Sequence, residues 1–230
     1  MGGGTGKCRA VQPIIQIAMN FRRISGIAAC VLMLSLLCLA AKEFSMPKTK
    51  PAAAYPAHDY HSNEKVTVGL DPYNTPDKTK IFVVNYRDLD LLPVLMVITN
   101  DSDSPISLTD IKAQLVTGDG AKLSPATEDD VYRRVSHPNA SGARVPLPFP
   151  TSRVKGGVNT KEWNEISNAQ FKAKAVEPRG SQAGFLFFDV SDLRNPLKGA
   201  RFYLTRVHDS AGNDLMYFEV PLASVEDAKP

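Results

Sequence analysis

Few side chains of this sequence have the types and spacing that catalysis or metal binding needs. His58-Asp59-Tyr60-His61 offers two imidazoles and a carboxylate, but a metal site needs further ligands held by a fold. His208-Asp209 could activate a serine, yet the sequence lacks the Gly-x-Ser-x-Gly elbow that presents such a nucleophile. We therefore expect residues 58–61 to be solvated linker residues and His208 to lie in a surface turn.

The remaining chemical candidates are similarly weak. Asp101-Ser-Asp103 is similar to a calcium loop, but the twelfth position holds Lys112 in place of the bidentate glutamate. The adjacent Asp129-Asp130 would point to different sides of a helix, and helix N-terminal charge explains them. The single tryptophan, Trp163, is expected to face the core, so a sugar-stacking platform would have to rely on tyrosines. We predict no catalytic residue, no metal site and no cofactor.

The N-terminal segment predicts export. Arg22 and Arg23 precede an uncharged apolar run over residues 24–41, the order of a basic n-region and an apolar h-region. All three cysteines lie in residues 1–41, so thiol catalysis and thiolate metal sites are excluded for the rest of the chain. We expect a location outside the cytoplasm, periplasmic or anchored to the envelope of a bacterium.

Three fates of this segment remain open. Cleavage beside Ala40 or Ala41 would release the chain, because small residues stand at the required spacing. Cys30 or Cys38 could instead accept a lipid, since Ile27-Ala28-Ala29-Cys30 is similar to a lipoprotein cleavage motif. An uncleaved run of 18 residues is also just long enough to span a bilayer.

The basic charge of the chain belongs mostly to that segment. The sequence has 27 basic and 24 acidic residues, and residues 1–41 contain four of the basic residues and no acidic one. The rest therefore has 23 basic against 24 acidic residues, a charge near −1. Such a balance gives no reason to bind nucleic acid through bulk charge.

The pattern after the export segment predicts a tether, one domain and a tail. Residues 42–63 are Pro/Ala-rich without apolar periodicity, which is typical of an extended tether. Residues 64–222 then carry about seven apolar or alternating strand segments separated by turn residues. Residues 223–230 form a short tail. The fold expected is mostly β, an immunoglobulin-like β-sandwich with two or three short inserted helices, preceded by an N-terminal signal or anchor helix.

Several elements of that domain have specific signals. Residues 91–99 are apolar on both faces, which predicts a central buried strand. Thr127-Glu-Asp-Asp130 predicts a capped helix through Val135. Thr75-Pro76 predicts a second helix reaching about Tyr86, although Ile81-Phe82-Val83-Val84 favours a strand. A third helix is expected from Thr160 to about Gln170. Residues 201–207 and 215–222 predict a hairpin around the turn at 208–214.

The long segment from Ser136 to Asn159 is the candidate partner contact. At about 24 residues it exceeds the length above which structureless loops are usually functional or disordered. From the alternating prolines we expect an apolar centre in an extended conformation between basic residues. The candidate contact residues are Arg144, Val145, Leu147, Phe149, Arg153 and Lys155. The alternative is that Leu147 and Phe149 pack onto the sandwich as a lid.

The sequence resembles a group of uncharacterised bacterial envelope proteins and lipoproteins. The resemblance rests on residues 66–78, on 92–102, on Glu177-Pro-Arg-Gly with Gly184-Phe-Leu-Phe-Phe, and on the closing Phe218-Glu-Val-Pro-Leu. It implies an export signal followed by one immunoglobulin-like domain, and it brings no catalytic residue. The function expected is a non-enzymatic binding or assembly module whose partner is another envelope protein. The alternatives are an extracytoplasmic hydrolase with scattered catalytic residues and a small-ligand or polysaccharide binder.

Overall fold

Antiparallel strands make up most of the regular structure in the computed structural model, which describes Gly2 and residues 43–137, 157–215 and 217–222. The strands are β1 Ala57–His61, β2 Val66–Pro72, β3 Leu91–Asn100, β4 Ile106–Ser107, β5 Lys112–Val116, β6 Lys122–Leu123, β7 Ala175–Val176, β8 Gly180–Asp189, β9 Arg201–Thr205 and β10 Phe218–Pro221. The α-helices among the described residues are α1 Pro76–Thr79, α2 Glu128–Ser136 and α3 Thr160–Ala169, and 3-10 turns cover Ala52–Ala54 and Tyr86–Leu89. The predicted mostly β class with few short helices is confirmed.

Two four-stranded sheets carry the fold. The first sheet has the order β1-β2-β3-β8 and the second has the order β10-β9-β5-β6, with antiparallel pairing throughout. The short strands β4 and β7 pair separately. The described residues therefore contain ten strands, where the sequence predicted about seven, because several short pairings carry no apolar run of their own.

Strand β3 lies at the centre of the first sheet, as its sequence predicted. All ten of its residues are buried, because apolar layers cover both faces of the sheet. Val94, Met96 and Ile98 face a core shared with the second sheet, which includes Phe202 and Phe218. The alternate side chains of β3 face a second core formed with the helical layer.

The second core lies on the outer side of the first sheet. Aromatic rings from the segment after α1 meet rings of β8, with Phe82 and Phe185 centred 5.0 Å apart and Tyr86 and Phe187 centred 4.6 Å apart. Helices α2 and α3 contribute Val131 and Ile166, both fully buried. The first sheet is thus covered on both faces.

Helices α2 and α3 begin at capping boxes. The Thr127 hydroxyl accepts the Asp130 backbone N–H at 3.2 Å, and the Asp130 carboxylate accepts the Thr127 N–H at 3.2 Å. Asn159 and Glu162 form the equivalent exchange at the start of α3. The predicted α2 and α3 are confirmed to within a residue at each end.

Helix α1 is much shorter than the sequence predicted. It ends at Thr79, and the Thr75 side chain makes no capping hydrogen bond. The expected continuation to Tyr86 fails because Phe82, Val84 and Tyr86 all enter the second core. In a helix, Val84 would point away from the face shared by Phe82 and Tyr86.

The described residues 43–63 do not form the solvated tether that was predicted for residues 42–63. Residues 57–61 form β1, which pairs along its whole length with β2, and Ala52 is fully buried. Phe44 stacks on Phe82 with ring centroids 5.7 Å apart. Residues 57–61 are held by backbone hydrogen bonds to β2, which leave no apolar periodicity in the sequence. From Glu43 onward the described residues belong to one compact unit.

Candidate functional site

The second sheet has one face that its own strands leave open to solvent. Alternate residues of β9 and β10 enter the shared core, namely Phe202, Leu204, Phe218 and Val220. The residues between them point the other way, because successive strand side chains alternate between faces. We call this surface the outer face, and it consists of Lys112, Gln114, Val116, Lys122, Arg201, Tyr203, Thr205, Tyr217, Glu219 and Pro221.

Two tyrosines lie together on the outer face. The rings of Tyr203 and Tyr217 have centroids 6.2 Å apart and an interplanar angle of 43°. Tyr217 directly precedes the buried Phe218, and 52% of it remains exposed. The one other large hydrophobic residue with comparable exposure among the described residues is Tyr60, at 51%. An exposed tyrosine supplies a flat apolar ring and a hydroxyl to a bound molecule.

Polar groups surround the tyrosine pair. Gln114, Tyr203 and Glu219 lie directly opposite one another on β5, β9 and β10. Arg201 Nη1 donates to Glu219 Oε1 at 2.8 Å, with side chains that are 61% and 32% exposed. The pKa of the Arg201 guanidinium is raised by its hydrogen bond with Tyr203 and then by the Glu219 charge.

The outer face carries an excess of positive charge. The four strands of the second sheet contain four charged residues, Lys112, Lys122, Arg201 and Glu219. All four lie on the outer face, since their neighbours Ala113, Leu123, Phe202 and Val220 contact the core. Three cations therefore share the surface with one carboxylate, although residues 42–230 as a whole are almost neutral.

The edge of β10 is closed by residues that the sequence assigned to a tether. The Glu219 backbone N–H donates to Asp59 Oδ2 at 2.9 Å, and the His61 ring stacks on Phe218 with centroids 4.0 Å apart. His61 Nε2 lies 3.3 Å from Asp59 Oδ2. Residues 58–61 are therefore structural strand residues and not solvated linker residues. Their side chains block pairing of a further strand with β10.

The structure does not support the hydrolase arrangement considered from the sequence. His208 pairs with Asp214, with Nε2 to Oδ1 at 2.9 Å, and the two residues form a bridge that closes the turn. Asp209 instead accepts the backbone N–H groups of Ala211 and Asn213 at 2.8 Å each. The pKa of Asp209 is lowered first by a hydrogen bond from the Asn213 side-chain amide and then by the backbone hydrogen bonds. Turn geometry therefore accounts for both residues, and His208 lies in the predicted turn.

A buried carboxylate that the sequence did not indicate lies in the second core. Glu165 of α3 is fully buried, and its two oxygens accept the backbone N–H groups of Val83 and of Val84, the latter at 3.1 Å. Burial and then the Glu165 charge raise the pKa of the neighbouring Tyr86 hydroxyl. Glu165 thus joins α3 to the segment after α1, and its bonds give it a structural role.

The candidate sites named from the sequence lie outside the described residues. This holds for the partner-contact residues Arg144, Val145, Leu147, Phe149, Arg153 and Lys155 and for the lipid-attachment candidates Cys30 and Cys38. Within the described part of the chain, no group of three or more His, Cys, Asp or Glu side chains is placed to hold a metal ion. The same residues include no helix with the length and hydropathy needed to cross a membrane.

Trp163 is half-buried and makes an edge-on contact with Tyr132, with ring centroids 5.1 Å apart, so it joins α3 to α2.

The tyrosine pair on the outer face was not among the sites predicted from the sequence. Its signal was an aromatic residue at a polar-face position of two neighbouring alternating strands, residues 201–205 and 217–221.

Comparison with known proteins found no matching family model, no similar curated protein and no similar solved structure.

Proposed function

We propose that this chain is an exported, non-enzymatic binding or assembly module of the bacterial cell envelope, and that the outer face is its contact surface. One observation carries the proposal. The first sheet is covered on both faces, whereas the second sheet presents an open face with an exposed aromatic pair. An exposed tyrosine pair offers flat apolar rings together with hydroxyl groups to a bound molecule.

We propose further that the sandwich is immunoglobulin-like. Strands β2, β3, β5, β6, β8, β9 and β10 correspond in chain order to strands A, B, C, C′, E, F and G of that fold. The order β2-β3-β8 in one sheet and β10-β9-β5-β6 in the other supports this correspondence. Strand β1 then adds an extra edge strand beside A.

Photo-cross-linking from the outer face tests the proposed contact. We expect a photoreactive phenylalanine analogue at position 217 to form a higher-mass adduct in intact cells of the source organism, because half of this side chain faces solvent. The matched control is the same analogue at position 60, which has equal exposure. Tyr60 alternates with Asp59 and His61, which contact β10, so it points away from that strand. Equal adducts from both positions, or none from position 217, would contradict the proposal.

The envelope location is a separate part of the proposal and has its own test. A fusion of residues 19–64 to a reporter that is active only outside the cytoplasm is expected to be active, because residues 24–41 are uncharged and apolar after two arginines. Replacing Cys30 or Cys38 by serine then separates lipid attachment from the other two fates. An inactive fusion would show that the assigned location is wrong.

A further inference from the structure

The outer face combines three features that bear on what it could bind. It has a pair of aromatic rings, a cross-strand row of groups that donate and accept hydrogen bonds, and three cations beside one carboxylate. From these features we infer that the outer face binds an acidic polysaccharide, a polymer of sugars that bear carboxylate groups. The inference rests on the proposed function and names the chemistry of the partner, in place of the envelope protein expected from the sequence.

The aromatic pair suits the apolar face of a sugar ring. The face of an aromatic ring carries partial negative charge, which attracts the C–H groups that line one side of a pyranose. Tyr217 is the more exposed member and Tyr203 supports it from the neighbouring strand at 6.2 Å. A linear polymer lying on this pair would also reach Gln114 and Glu219, which flank Tyr203 on the neighbouring strands.

The polar row suits sugar hydroxyls, which both donate and accept hydrogen bonds. Gln114 offers an amide with both capacities and Glu219 accepts, while Arg201 donates from the next outer-face position along β9. The aliphatic side chains among the outer-face positions of the second sheet are Val116 and Pro221. A protein partner would favour a larger apolar centre with few lysines, which this surface does not offer.

The charge distribution selects an acidic polymer over a neutral one. Arg201 is partly neutralised by Glu219, whereas Lys112 and Lys122 are exposed and add positive charge on the β5 and β6 side. Carboxylates spaced along a sugar polymer would meet these lysines while its rings contact the tyrosines. Interactions among such exposed charges weaken as salt rises, because the screening length shortens.

Affinity electrophoresis of the purified full-length protein tests the inference. Native gels containing polygalacturonate are expected to retard the protein, and gels containing dextran, poly-glutamate or oligothymidylate are not. Tyr217→Ala is expected to weaken retardation about tenfold, and the double variant Lys112→Glu/Lys122→Glu at least as much at low salt. The control Tyr60→Ala changes an equally exposed tyrosine, and Lys80→Glu changes an exposed lysine outside the second sheet; both should leave retardation unchanged.

Each other outcome overturns the inference. Equal retardation by poly-glutamate would show attraction to charge alone, and stronger retardation by oligothymidylate would indicate a nucleic acid. Equal losses in Tyr60→Ala and Tyr217→Ala would remove the outer face from the interaction. Absence of retardation together with a protein adduct from position 217 would overturn the polysaccharide and leave the proposed binding function standing. Absence of any adduct from position 217 would instead reject the function itself.

Discussion

Replacing Glu165 by alanine is expected to lower the free energy of unfolding by about 2–6 kcal/mol, because two backbone donors lose their buried acceptor. The substitution leaves the N–H groups of Val83 and Val84 without their acceptor in a region that excludes water. Each such loss costs about 1–3 kcal/mol. A urea unfolding curve of the variant beside the parent measures the change.

Two further variants make this result specific to the carboxylate. Asn164→Ala changes the exposed neighbour on the same helix and should shift stability by less than about 0.5 kcal/mol. Glu165→Gln keeps the shape and one acceptor oxygen, but its amide nitrogen would face the second N–H as another donor. We expect the free energy of unfolding of Glu165→Gln to lie between those of Glu165→Ala and Asn164→Ala. If Glu165→Ala and Asn164→Ala proved equally stable, the structural role assigned to Glu165 would be wrong.

The strands and helices that the sequence predicted correctly have local signals. The run over 91–99 is apolar at every position, so it had to be buried on both faces, and β3 is. Thr127 and Asp130 satisfy each other across the first turn of α2, which needs no distant partner. The turn at 208–214 closes through Asp209 and Asn213, again within a few residues. Local chemistry of this kind is legible without a fold.

The elements that the sequence mispredicted depend on distant residues. Strand β1 contains only Ala, His, Asp and Tyr, and it exists because β2 pairs with it. Glu165 receives N–H groups from residues more than 80 positions earlier in the chain. Helix α1 stops early because the residues after it pack against β8. None of these contacts leaves a periodic pattern in its own segment.

The candidate site also has a part that local sequence indicates and a part that depends on distant residues. The outer face is encoded by alternation within β9 and β10, where Tyr203 and Tyr217 occupy positions that point away from the core. Their proximity depends on the register between the two strands, which the turn residues alone did not give. The composition therefore indicates that a sugar platform would rely on tyrosines, but only the strand register shows that Tyr203 and Tyr217 lie together.

Removal of residues 1–63 is expected to cost at least about 4 kcal/mol relative to removal of residues 1–42, because each lost backbone hydrogen bond of β1 contributes about 1 kcal/mol. The shorter polypeptide lacks the five residue pairs between β1 and β2, the buried Ala52 and the ring of Phe44 on Phe82. It also loses the Asp59 acceptor at the edge of β10. Urea unfolding of both polypeptides measures the difference in the free energy of unfolding. Equal values would show that residues 43–63 act as a solvated tether.

A single substitution distinguishes the same two structures without shortening the chain. Gly69 lies in β2 directly beneath Ala52, and a Cβ added there would overlap the Ala52 carbonyl. If residues 51–54 pack as the structure describes, Gly69→Ala forces a backbone shift and should destabilise the protein by about 1–3 kcal/mol. If those residues formed a solvated tether, the same change would stabilise the strand by about 0.5–1 kcal/mol, because alanine loses less backbone entropy than glycine on folding. The sign of the change in the urea midpoint therefore decides whether residues 51–54 pack on β2 or belong to a solvated tether.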